Sequence, residues 1–250
     1  SDVTQSALEG ISDNPYIAQR IQQEGLVYDP ARGTYRNADM DEVKIETFTD
    51  TNGTTYIRES VPGEGYSRLL PTDYVRQGND NNCGFLAELN AELRTKEGVD
   101  SMFDAVREYP DGLRVVTPDG QEIKLDAKAN AEGKYNLSEV YSDAITKVTG
   151  VSDGFADEIA GSMGLNPVRV EPGADGFTRG QLDNMAQMVA NGDALSVGVR
   201  YPDGTGHYMT VQEIDPETGN MKVYDSATDE VRTINVNDTD GEFKVEEVAE

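Results

Sequence analysis

The sequence predicts an α+β fold: a helical part followed by a C-terminal antiparallel sheet, preceded by a small hairpin-rich subdomain. Three observations predict it. Apolar residues recur at helical spacing in 83–93, 137–148 and 178–190. From Leu195 onward, short apolar-rich runs alternate with turn residues, as antiparallel strands do. No regular strand–helix–strand alternation joins the two parts, and no repeat of solenoid length is present.

In chain order, residues 1–25 are expected to be helical. Asn14-Pro15 supplies a start, Ile17 and Ile21 a buried stripe, and Gly25 a stop. Leu26-Val27-Tyr28 and Thr34-Tyr35-Arg36 flank the turn residues 29–33, and Val43–Thr49 and Thr54–Arg58 flank Asp50-Thr51-Asn52-Gly53. Pro62-Gly63-Glu64-Gly65 is expected to end this part. The chain therefore divides into 1–70, a helix and hairpin subdomain, and 71–250, the main domain.

A helix is expected from Cys83 through Leu93, with Phe85, Leu86, Leu89 and Leu93 on its buried side. A short helix over 101–108 follows. A hairpin of 113–117 and 121–125 then turns on Pro118-Asp119-Gly120. Helices follow at 137–148, 152–163 and 178–190. Strands are expected at 195–201, 208–214, 220–225, 231–236 and 242–247, with residues 215–219 turning the middle pair.

Composition narrows the function. At 250 residues with 36% hydrophobic residues, the chain can bury a sizeable core. A formal charge of −26 opposes binding to nucleic acid or to an anionic membrane surface, both of which require a basic face. No run is long and apolar enough to span a membrane and no signal-peptide pattern is present, so a soluble protein is expected. The chain opens on Ser1 rather than methionine, as a segment excised from a longer precursor would. A single cysteine excludes an internal disulfide and a cysteine-rich zinc site.

That cysteine and the single histidine are where chemistry concentrates. Cys83 follows a polar loop and opens a helix, where the positive end of the helix stabilises a thiolate. His207 lies in Gly204-Thr205-Gly206-His207-Tyr208, where a glycine-bearing loop enters a strand. Histidine accepts and returns a proton near neutrality, and a third group on its other nitrogen fixes the tautomer. Asp225 ends the next strand, and the intervening hairpin brings it toward His207. Each residue alone has a plainer role. A lone cysteine is ordinarily a small buried hydrophobe, His207 a structural residue, Asp225 a turn cap and Gln77 a loop residue.

Together these motifs resemble the papain-like cysteine peptidases, in particular their calpain-like branch. Gln77 stands six positions before Cys83, Cys83-Gly-Phe-Leu-Ala-Glu-Leu is similar to the family's nucleophile helix, and Gly206-His207-Tyr208-Met209-Thr210-Val211 to its histidine strand. Val223-Tyr224-Asp225-Ser226 occupies the slot of the third triad member. The resemblance covers roughly residues 70–235, with three short motifs carrying it. It implies a papain-like fold, Cys83 as nucleophile, His207 as general base and acid, Asp225 as its orienting partner and Gln77 as an oxyanion donor. A protein or peptide substrate and hydrolysis through a thioester follow. The chain departs from the family in having Asp where Asn is common, Gly84 after the cysteine, and no tryptophan beside the third member.

Two other readings share these residues. The same triad serves a glutamine deamidase or a transglutaminase-type effector, and a binding module could retain the triad without activity. No cofactor is expected. Asp50-Thr51-Asn52-Gly53 and Asp238-Thr239-Asp240-Gly241 are similar to calcium loops, but neither has the full ligand ladder, and turn chemistry accounts for both.

Overall fold

The structure, a computed structural model, describes residues 2–151, 168–238 and 244–249. Helices and antiparallel sheets make up the described chain, which divides into two compact units: 1–75 with 96–148, and 76–95 with 149–250. This differs from the expected break at 70, because 96–148 belongs with the N-terminal residues.

In the first unit, α1 (Asp2–Glu9) and α2 (Pro15–Gln22) precede a three-stranded sheet of β1 (Val27–Asp29), β2 (Thr34–Arg36) and β3 (Glu42–Val43). The start of α2 is local chemistry: Asn14 accepts from the backbone N–H groups of Tyr16 and Ile17, with Pro15 at the first helical position. Ile17 and Ile21 are fully buried, each contributing roughly 1.5–3 kcal/mol of burial.

A meander follows: β4 (Ile45–Thr49), β5 (Thr55–Val61), β6 (Tyr66–Pro71), β7 (Val106–Tyr109), β8 (Gly112–Val116) and β9 (Glu122–Lys124), each paired with its sequence neighbour. Pro62–Gly65 thus turns β5 into β6 instead of ending a subdomain. The helix expected over 101–108 is displaced: α4 covers Lys96–Met102, and Val106–Tyr109 is strand, paired with β6 and β8. The Asp50 turn is held by its own carboxylate. Oδ1 accepts from the N–H of Asn52 and Thr54, and Oδ2 from that of Leu137 at the start of α5 (Leu137–Thr149). These backbone donors give the Asp50 loop a turn role of its own.

The second unit contains α3 (Cys83–Glu92), α6 (Arg179–Ala190) and a six-stranded antiparallel sheet. Its strands are β10 (Arg169–Val170), β11 (Ser196–Arg200), β12 (Gly206–Ile214), β13 (Asn220–Asp225), β14 (Glu230–Asn235) and β15 (Lys244–Ala249), in the order β10-β15-β11-β12-β13-β14. Thr178 and Gln181 form a capping box at the start of α6. The helix expected at 152–163 lies outside the described residues, as does most of the Asp238 loop.

The sheet has two working faces because successive side chains alternate. Met209 and Val211 of β12 join Leu182 and Met185 of α6 in the core. Thr210 between them donates its hydroxyl to the Ala87 carbonyl of α3 at 2.8 Å. A bulge interrupts β12 between Val211 and Glu213, and Arg94 donates to the carbonyls of Val211 and Gln212 there, at 2.6 and 3.1 Å. These contacts advance along helix and strand together, so α3 and β12 run in the same direction. From Cys83 to Arg94 and from His207 to Gln212 the chain covers about 16 Å in each. The start of the helix therefore coincides with the start of the strand.

Candidate active site

Cys83, the first residue of α3, is half-buried. The His207 imidazole and the backbone N–H groups of Tyr208 and Gly84 act on its sulfur in favour of the thiolate. Burial pushes the thiol up, but the imidazole, these two amides and the imidazolium charge outweigh it, so the thiol is held below its ordinary value.

His207 is 8% exposed. Its Nε2 lies 2.7 Å from Oδ1 of Asp225, which leaves Nδ1 as the nitrogen for the sulfur. Burial pulls the imidazolium down, but the bond to Asp225, then the bond to Cys83 and the charges of both raise it to about 9. Asp225 is 2% exposed, and its Oδ1 also accepts from the N–H of Ala227 at 3.0 Å. Burial pushes this carboxyl up, yet His207, the Ala227 amide and the Arg232 charge hold it below the ordinary carboxylate range. All three shifts favour the charged forms, thiolate, imidazolium and carboxylate in a row.

Local sequence sets this row. Tyr201 and Thr205 close the β11–β12 hairpin, with the Tyr201 N–H on the Thr205 carbonyl at 2.8 Å and Gly204 at φ +89°. His207 then pairs with Val199. On the next residue, Tyr208 donates its hydroxyl to Glu247 across Gly198. A Cβ at Gly198 would stand 3.0 Å from both of those side chains, so glycine makes the crossing possible.

Gln77 is tied to the same place by its backbone: its N–H donates to the carbonyl of Ser226, the residue after Asp225, at 2.8 Å. Its side-chain Nε2 donates to the Asp80 carbonyl at 2.8 Å, which engages one of the two amide hydrogens and leaves the other. Cys83, His207 and Asp225 therefore stand in one interacting row, with a hydrogen bond between the last two, while Gln77 adjoins them with its amide half engaged.

The motifs did not point to Tyr201 or Arg232. The Tyr201 ring stands 6.4 Å from that of His207, at 31° between planes. An Arg232 Nη2 lies 3.5 Å from Asp225 Oδ2. Register would have revealed the second: Arg232 pairs with Val223 and Glu230 with Asp225, so Arg232 is a diagonal neighbour of Asp225 on one face.

Among the described residues, no group of three or more His, Cys, Asp or Glu side chains is placed to hold a metal ion. No described helix is long and apolar enough to cross a membrane. No protein-family model and no curated protein matches the chain.

Proposed function

We propose that this chain is a cysteine peptidase of the papain-like type, acting on protein or peptide substrates. The observation that carries the reading is the continuous chain from the Cys83 sulfur through His207 to the buried Asp225 carboxylate. A nucleophile helix laid along the histidine strand of an antiparallel sheet supports the papain-like arrangement.

The Cys83 thiolate attacks the substrate carbonyl carbon, and the oxygen takes the electron pair. Two donors suit that oxyanion: the Cys83 backbone N–H, since the first amides of a helix lack intrahelical acceptors, and the remaining Gln77 amide hydrogen. The C–N bond breaks as His207 protonates the leaving amine, giving a thioester. Water gives a proton to His207 and attacks the thioester, the C–S bond breaks, and the acid leaves with the thiolate restored. The net charge of −26 favours neutral or basic substrate segments over acidic ones.

The test is denaturing mass spectrometry of a mixed protein pool incubated with the protein or with Cys83→Ala. New chain cuts that disappear in the variant support the peptidase. A gain of about one dalton without cuts means that water resolves a thioester made on glutamine side chains, which replaces peptidase with deamidase. Unchanged masses in the presence of a reactive Cys83 refute both.

A further inference from the structure

Asp225 offers two oxygens and His207 uses one. Oδ1 takes His207 Nε2 and the Ala227 N–H, and Oδ2 faces Arg232. Among the described residues, charged groups beside the carboxylate and its ring come from three elements. From α3 comes Cys83, which acts on the ring, from β12 His207, and from β14 Arg232 and Glu230, whose Oε2 lies 3.8 Å from Arg232 Nε. Just beyond, Asp229 is neutralised by Arg76 at 2.7 Å and accepts the Tyr224 hydroxyl. The Arg232 side chain is 26% exposed, so solvent screens its charge only in part.

A buried aspartate behind a histidine has a drawback. The more firmly the anion holds the imidazolium, the less readily that ring delivers its proton to a leaving amine. An aspartate whose second oxygen is unoccupied can also rotate away from the ring. A cation on that oxygen acts against both.

We propose that Arg232 is a positioning residue: it pins the second oxygen of Asp225 and, as a fixed positive charge behind the carboxylate, limits how firmly His207 holds its proton. This inference rests on the triad reading above.

The single histidine makes the test direct, because one ring resonance in the proton NMR spectrum reports His207 without assignment. Titrating intact protein, Arg232→Gln should move the His207 midpoint upward by about 0.5–1 pH unit, the size expected of a partly screened unit charge on the far side of the carboxylate. Arg232→Lys keeps the cation and should leave most of the midpoint in place. Glu230→Gln, at a side chain 65% exposed and tolerant of change, removes the competing anion and should move the midpoint downward by a smaller step. A merely structural role would alter stability and leave the midpoint alone. If Arg232→Gln fails to fold, the sign of the Glu230→Gln shift decides, and an unmoved or upward midpoint there overturns the proposal. An unmoved midpoint in a folded Arg232→Gln overturns it likewise. The wild-type midpoint judges the triad separately: at the ordinary value near 6.5 it refutes the ion pair whatever the variants do.

Discussion

Replacing His207 by alanine gives the most direct measure of whether Cys83 is activated. A free thiol with a pKa near 8.5 is about 0.3% thiolate at pH 6, so complete ionisation raises the thiolate fraction about 300-fold. Lower basicity makes each thiolate less nucleophilic, with a Brønsted slope of about 0.4–0.5, which takes back a factor of about 25–55 over the drop of about 3.5 units that complete ionisation requires. The lowered thiol of Cys83 should therefore react faster than its own unfolded chain at pH 6, with a ceiling of about 10-fold. His207→Ala removes the imidazole that opposes burial and should return Cys83 to the unfolded rate or below it, since desolvation then acts against only the Tyr208 and Gly84 amides. The assay is iodoacetamide alkylation at pH 6, with urea-unfolded protein as the reference. Folded Cys83 reacting no faster than the unfolded chain, or His207→Ala reacting as fast as wild type, would refute the activation argued here.

Two further outcomes are expected. Gln77→Ala should lower kcat on a cleaved peptide by about 10²–10³, the cost of one oxyanion donor, while alkylation of Cys83 at pH 6 stays unchanged; equal losses in both would assign Gln77 to loop structure instead. The other concerns Glu59, 2% exposed in the first unit, whose carboxyl is raised by burial, then by the hydrogen bond and charge of Glu24, against the pull of Arg68 and Arg20, to about 9. The unfolded chain releases that proton near 4.5 and the folded chain holds it, so the contribution to stability is fully present below about 4.5 and lost as pH rises through about 9. In urea titrations the margin of Glu59→Gln over wild type should widen steadily from pH 5 to pH 9, and a constant margin would show that Glu59 does not carry this proton.

Elements with their own local chemistry were legible. Asn14-Pro15 starts α2 whatever surrounds it, and the Asp50, Pro118–Gly120 and 215–219 turns follow from residues that close backbone turns by themselves. The residues of the candidate site were legible for a different reason. One cysteine and one histidine leave a single thiol–imidazole pairing, and a hairpin between β12 and β13 carries Asp225 alongside. What escaped depends on partners distant in sequence. Val106–Tyr109 has too few residues to show a period, and it is strand because β6 and β8 accept it on either side. The same pairing draws 96–148 into the first unit. Arg232 escaped because its role depends on the register of β14 against β13 and on no motif.

The lateral contact of α3 with β12 has a temporal consequence. Ala87 and Thr210 touch across 123 residues of chain, so a ribosome delivers the thiol long before the ring that ionises it. Until β12 emerges, the imidazole that lowers the Cys83 thiol is missing, and only the amides of its own helix remain beside the sulfur. A message truncated anywhere before His207 therefore yields a chain whose one thiol has no imidazole to meet.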